Sequence, residues 1–433
     1  MKKEVCFLKI HVVSSGQSIY SIARKYGVSP QKMIADNELT NPNQLVVGQT
    51  LVILESSGTH TVAAGESLYL IAQKHGVTVN ALLAANPRIT DPSRIYAGQT
   101  IAIPAASASY GTIEVNGYAF PNINRDILRK SLRHLTYLSI FSYQVNADGT
   151  LNTIPDEPLI QAAREARTAP LMVITNIQQG GSFNSTLARS ILTNQTAQNT
   201  LISQVIRTLR EKNYYGLDID FEYIYPSDRE NYNNFLRRIV NTLRPLGYPV
   251  TTALAPKLSA DQKGLLYEAH DYPVHGALAN HVILMTYEWG YTYSPPKAVA
   301  PVSEVRKVLT YAVSAIPRQK IFMGIPNYGY DWTLPYVSGT AARTVSNSGA
   351  VDLARTEKTA IQYNSTAQSP YFTYYDDSGK KHEVWFEDAR SIYAKLSLAK
   401  EFRIGGISYW TIGRYFPQNW LVLRSLYSIK KLL

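Results

Sequence analysis

Y-Y-G-L-D-I-D-F-E-Y-I-Y-P, Tyr214 to Pro226, is the stretch on which the reading of this chain turns. Asp218, Asp220 and Glu222 alternate with Leu217, Ile219 and Phe221. Alternation with period two among β-branched and aromatic residues predicts a strand with the three carboxylates on one face. Tyr215 shares the parity of Leu217 and Ile219, so it is expected off that face. Successive carboxylates stand ~7 Å apart along such a strand. Two ionised groups at that spacing repel by ~2.4 kcal/mol at an effective dielectric of ~20. That is nearly two pKa units, so at least one group is expected to hold a proton near neutral pH. A neutral carboxylic acid beside an ionised one is the equipment of a general acid. The same spacing also suits a cation site or acidic strand ends facing solvent.

Outward from this strand, seven further apolar runs alternate with helical stretches. Strands are predicted near 113–120, 135–142, 171–177, 216–222, 250–256, 282–287, 321–327 and 404–410. Eight runs separated by helices such as 194–212 and 229–246 predict an α/β fold, a closed parallel (β/α)8 TIM barrel over residues 110–433. The long gap before the last run holds its own strand-like pieces, 370–375 and 383–386, split by D-D-S-G-K. A small α+β insertion between strands 7 and 8, about 331–400, is expected to overhang the site. Sites in such barrels lie at the C-terminal strand ends.

The N-terminal quarter is a repeat. I-H-V-V-S-S-G-Q-S-I-Y-S-I-A-R-K-Y-G-V from Ile10 aligns with T-H-T-V-A-A-G-E-S-L-Y-L-I-A-Q-K-H-G-V from Thr59, and Asn37 pairs with Asn86. V-G-Q-T-L-V-I from Val47 pairs with A-G-Q-T-I-A-I from Ala97. Each copy reads strand, helix, short helix, strand. Ser18 and Ser67 stand where N-caps belong, and Gly27 and Gly76 where the helices end. Two copies joined by a polar link are too few for a solenoid. They read as separate modules over 9–54 and 58–104. They resemble LysM domains, βααβ modules that bind N-acetylglucosamine-containing glycans. The resemblance places the sugar in a groove between Gly16–Ser18 or Gly65–Ser67 and the loop 41–45 or 91–95. Gly16, Ser18 and Asn41, and Gly65, Ser67 and Asp91, are its candidate residues.

The carboxylate strand resembles the D-x-x-D-x-D-x-E signature of family 18 glycoside hydrolases, with Tyr215 in the first acidic position. M-T-Y-E-W-G-Y, Met285 to Tyr291, is similar to the family's M-x-Y-D segment, with Glu288 for the usual Asp. The resemblance implies that Glu222 protonates the leaving oxygen and Asp220 orients the substrate's acetamide. Asp218 would share a proton with Asp220, Tyr287 fix the acetamide carbonyl and Trp410 floor the sugar. Glu288, Trp289, Asn176, Asn327 and Tyr143, at or beyond strand ends, are candidate substrate contacts. No cofactor and no metal is implied, and the eight His are scattered. A chelator-sensitive hydrolase and a non-catalytic glycan-binding coat protein are the rival readings.

The chain's 433 residues carry a net charge of +11, with 17% charged and 45% hydrophobic residues. Such a composition is globular, not disordered. The basic excess is spread out, which argues against nucleic acid as a partner. It suits an anionic polymer such as cell wall. The one cysteine, Cys6, excludes an internal disulfide. No run is long enough for a membrane span, and the start lacks a classical signal peptide. Together, modules and barrel resemble the LysM–family 18 proteins of endospore formers. That implies N-acetylglucosaminidase action on spore-cortex peptidoglycan or its fragments, at the spore surface or cell wall. Chitin is the alternative polymer.

Overall fold

A computed structural model describes residues 8–54, 56–75, 77–104, 110–178 and 180–433. Cys6, Gly76, and parts of the links at 55 and 105–109 lie outside them.

Eight parallel strands close on themselves: Thr112–Ala119, Tyr137–Gln144, Ala169–Thr175, Gly216–Asp220, Val250–Leu254, His281–Leu284, Ile321–Pro326 and Gly406–Trp410. Closure comes from the eighth strand, whose Gly406–Tyr409 pairs with Glu114–Gly117 of the first. The strands fall where the apolar runs predicted them, because strands buried on both faces read as continuous hydrophobic stretches. The outer core lies between strands and helices, with Ile219, Phe235, Leu254 and Leu423 among its buried members. A second cluster fills the barrel interior, built on Tyr118, Tyr137, Phe141, Leu171, Val173 and Phe322.

Tyr215 is a correction. It packs against that interior cluster, its ring 6.1 Å from Tyr137. The regular strand begins only at Gly216, so the pleat parity does not reach Tyr215, which turns under the barrel floor.

The insertion is a five-stranded antiparallel sheet in the order Arg343–Ser346, Tyr328–Leu334, Lys381–Trp385, Ser369–Tyr375, Gln362–Asn364, with one helix, Asn347–Thr356. Its sheet starts at Tyr328. The helix Ala389–Phe402 packs in the barrel's outer core through Ile392, Leu396 and Ala399. The expected bounds of 331–400 are corrected on both sides. One face of the sheet carries Tyr328, Tyr330, Trp332 and Trp385 towards Tyr287 and Trp410. The other buries Phe372, Val384 and Phe386 beneath the helix.

Both N-terminal modules are βααβ: Lys9–Val12, Ile19–Tyr26, Pro30–Asp36, Thr50–Ile53, then Ser56–Thr61, Leu68–His75, Val79–Ala85, Thr100–Pro104. Ser18 caps the first helix by accepting from Ser21 N–H, and Gly27 ends it at φ 65°. The repeated asparagine is a clip. Asn37 Nδ2 donates to the Met33 and Val52 carbonyls, and its Oδ1 accepts from Val52 N–H. Asn86 does the same between Leu82 and Ala102.

Candidate active site

The fourth barrel strand ends at Asp220, and Glu222 follows two residues on, at the barrel mouth. Asp218 and Asp220 point into the barrel and are buried. Asp218 Oδ2 accepts from Tyr118 Oη at 2.7 Å and from Ser139 Oγ at 3.1 Å. Asp218 Oδ1 and Asp220 Oδ1 are buried without a partner. A buried acceptor left unpaired is costly, and protonation or an incoming N–H relieves it.

Burial pushes the Asp218 carboxyl up to about 6, against the opposing hydrogen bonds from Tyr118 and Ser139. Burial, with Glu222 and Asp218 nearby, raises Asp220 well above the carboxylate range. Burial, then the Glu288 charge, lifts Glu222 to about 7. The strand therefore holds fewer than three charges at neutral pH.

Two buried side chains aim Glu222. Asn176 Oδ1 accepts from Glu222 N–H at 2.9 Å, and Asn176 Nδ2 donates to the Glu222 carbonyl at 2.8 Å. His270 Nδ1 accepts from Ala255 N–H at 2.8 Å. Its other nitrogen therefore carries the proton and donates to the Phe221 carbonyl at 3.0 Å. Burial keeps His270 neutral, pushed down to about 4. The next residue, Tyr223, turns the chain away at φ 54°.

Around Glu222 lies a cleft of about 870 Å³, lined by Asp220, Glu222, Tyr287, Glu288, Trp289 and Trp410 among others. Trp410 ends the eighth strand and stands edge-on to Phe141 and Tyr118, at 4.9 and 5.3 Å between ring centres. Tyr287 lies over the seventh strand, where a Cβ on Gly324 would meet its ring at 2.7 Å. Only glycine lets that ring approach. Glu288, at φ 69°, accepts from Tyr330 Oη at 3.0 Å and from Tyr328 Oη. Burial raises Glu288, and those two tyrosines pull it back. Phe120, Tyr223, Tyr267 and Tyr291 add aromatic walls.

Three expected substrate contacts fall elsewhere. Tyr143 is buried on the outer side, bonded to Asp156. The second strand shifts register between Ile140 and Tyr143, and the extra residue reverses the facing. Phe141, Ser142 and Gln144 line the cleft instead. Asn176 is the buried clip beneath Glu222. Asn327 is buried too, its N–H donating to the Trp410 carbonyl at 3.0 Å. It secures the strand end that carries Trp410. The role of His270 was absent from the sequence reading, since nothing local marks it.

The family model for glycosyl hydrolases family 18 matches residues 114–414. The chain belongs to that family. Family 18 members are glycoside hydrolases, and the carboxylate strand lies within the matched barrel. The LysM domain model matches residues 11–54 and 60–104. The cortical fragment-lytic enzyme of Bacillus subtilis (strain 168) is 43% identical over 431 residues, spanning 98% of this chain and 99% of that protein. The putative sporulation-specific glycosylase YdhD of the same organism is 35% identical over 426 residues, 98% of this chain and 99% of its own. The crystal structure of the Bacillus megaterium QM B1551 spore cortex-lytic enzyme SleL superposes with a TM-score of 0.85 at 41% identity, covering 99% of this chain and 100% of that one.

In the modules, Gly16, Ser18, Asn41, Gly65, Ser67 and Asp91 are all exposed. Among the described residues, no group of three or more His, Cys, Asp or Glu is placed to hold a metal ion. No described helix is long and apolar enough to cross a membrane.

Proposed function

We propose that this chain cleaves N-acetylglucosaminyl linkages in spore-cortex peptidoglycan or its fragments, with retention and with the substrate's own 2-acetamido group as nucleophile. The observation that carries this reading is Glu222, a carboxyl lifted to about 7 at the cleft floor, beside Asp220 with a buried oxygen free to accept. In the first step the acetamide carbonyl oxygen bonds to the anomeric carbon. The glycosidic C–O bond breaks, and the Glu222 proton passes to the leaving oxygen. Asp220 accepts from the acetamide N–H, Tyr287 holds the carbonyl, and Trp410 supports the sugar ring. In the second step water attacks the anomeric carbon from the vacated side and gives its proton to Glu222. The oxazolinium C–O bond opens and the acetamide is restored. Substrate assistance of this kind departs from the usual two-carboxylate scheme.

The substrate class rests on the named relatives, which are cortical or spore enzymes at 35–43% identity. The LysM modules support attachment to a polymeric glycan, and so a place at the spore or cell wall. Spore cortex and chitin digested side by side, with mass spectrometry of the new reducing ends, test it. New N-acetylglucosamine ends from cortex, formed faster than from chitin, are expected. Faster chitin cleavage transfers the chain to chitin. A thiazoline mimic of the oxazolinium is expected to inhibit at sub-millimolar concentration, and its failure to do so removes substrate assistance.

A further inference from the structure

The two LysM copies have the same fold but not the same surroundings. At the turn before the last strand, the first reads Val46-Val47-Gly48 and the second Tyr96-Ala97-Gly98. Val46 is 5% exposed, packed in the insertion's core with Phe372, Val384 and Phe386. Tyr96 is 67% exposed. The Val47 carbonyl accepts from Ile361 N–H at 2.8 Å. A Cβ on Gly48 would stand 1.8 Å from the Ile361 carbonyl oxygen, whereas one on Gly98 would meet nothing within 4 Å. Thr50 is buried and exchanges hydrogen bonds with Gln418, whose amide also donates to Asn37. Its counterpart Thr100 is exposed. Arg355 holds the Gln44 carbonyl at 2.8 Å, so the loop that forms one groove wall in the first copy is engaged by the insertion.

That engagement leads to the reaction centre. The insertion core seats Val46 on one face of a sheet whose other face carries Tyr328 and Tyr330. Those hydroxyls hold Glu288, the charge beside Glu222. The glycine and serine of the first turn are open in both copies; in the second, Arg88 stands exposed just ahead of the facing loop and Arg94 on it, 3.7 Å from Asp91. Exposed guanidinium groups on a groove wall suit a polymer bearing carboxylates.

We propose that the first LysM module is a structural brace of the catalytic body, holding the sheet that walls the cleft, and that the glycan polymer is gripped by the second module. The polymer half rests on the function proposed above; the brace does not.

Matched pairs in the full chain test both halves. Gly48→Ala and Gly98→Ala carry the same left-handed strain, each at φ +86°, but only Gly48→Ala collides with Ile361. Amide exchange across residues 343–386 is expected to quicken about tenfold or more in Gly48→Ala and to stay unchanged in Gly98→Ala. Hydrolysis of a soluble fluorogenic chitobioside should lose several-fold in kcat with little change in KM. Its alkaline limb should move to lower pH as Glu288 loses its tyrosines and Glu222 its neighbouring charge. Asp220, Glu288, Tyr223, Tyr232 and Tyr287 are the titratable groups that interact with Glu222, and Tyr118, Tyr267, Tyr291 and Tyr328 also line the cleft. Val46→Ser gives a milder loss of the same contact if Gly48→Ala does not fold. Equal exchange in the two glycine variants overturns the brace.

For the polymer, Gly16→Gln and Gly65→Gln each place a long neutral side chain at a groove mouth where nothing lies within 4 Å. Only Gly65→Gln is expected to lower retention on insoluble peptidoglycan, by about fivefold or more. Equal losses overturn the assignment to the second module. Loss in neither removes the polymer reading while leaving the exchange result standing. Dimers that Tyr96→Ala dissolves would give that face to a second copy of the chain.

Discussion

In the mechanism proposed above, Glu222 carries a proton to a leaving oxygen and then takes one from water, so its affinity has to sit near working pH. Burial and the neighbouring Glu288 put it at about 7. Glu222→Gln is expected to cost ~10²–10⁴-fold in kcat with substrate affinity retained; unchanged turnover removes the residue from the role. The rate should fall on the alkaline side of about pH 7, as Glu222 loses its proton. Glu288→Gln takes away a charge that raises Glu222, so that limb should shift to lower pH in a kcat profile. At this scale the sequence was legible where side chains follow strand parity. Asp218 and Asp220 share one face, and their crowding was foreseeable from spacing alone. It was illegible where parity breaks: Tyr143 beyond a register shift, Tyr215 ahead of the first regular residue. The roles of Asn176 and His270 depend on partners 46 and 49 residues distant, which no local pattern encodes.

An element of this barrel is as useful as the loop its end presents. The fourth strand stops at Asp220, and the two residues beyond it are held by Asn176 on one side and His270 on the other. Asn176→Ala strands both backbone groups of Glu222 in a part-buried setting, at up to roughly 1–3 kcal/mol. Denaturant unfolding should show that loss, and kcat should fall with KM nearly unchanged, because the acid is displaced while the sugar platforms stay. The eight strands were readable because most of their residues are buried and apolar, with the fourth marked by its alternation. The insertion's bounds were not. Tyr328, Tyr330 and Trp332 alternate as well as any barrel strand, and the helix Ala389–Phe402 follows the insertion's last strand after three residues. Only the packing of Ile392 and Leu396 in the outer core assigns that helix to the barrel.

Across the whole molecule, the desolvated carboxyls of the cleft weigh on the fold. Asp218 and Glu222 hold protons in the folded chain, at about 6 and about 7, that the unfolded chain gives up near 4. The folded state therefore binds more protons in that window, and stability falls as pH rises from about 4 to about 7. At about 1.4 kcal/mol per pKa unit, Glu222→Gln should recover up to a few kcal/mol at pH 8 and nothing at pH 4. Thermal unfolding of the variant and the parent chain at the two pH values checks this. An equal gain at both would point to packing instead of charge. At this scale the repeat announced two modules, but no feature of the sequence said that one of them is seated in the catalytic body. That fact lies in Val46 and Gly48, whose counterparts Tyr96 and Gly98 look equally ordinary on paper.

The barrel is sealed by Gly406–Trp410 lying beside Thr112–Ala119, partners separated by nearly the full length of the domain. During synthesis the first strand waits, with one edge bare, until the last has left the ribosome. Trp410 arrives with that final strand, so the part of the cleft wall that it forms is among the last features to exist. A chain clipped before residue 406 keeps both LysM modules but has neither a closed barrel nor that wall of the cleft.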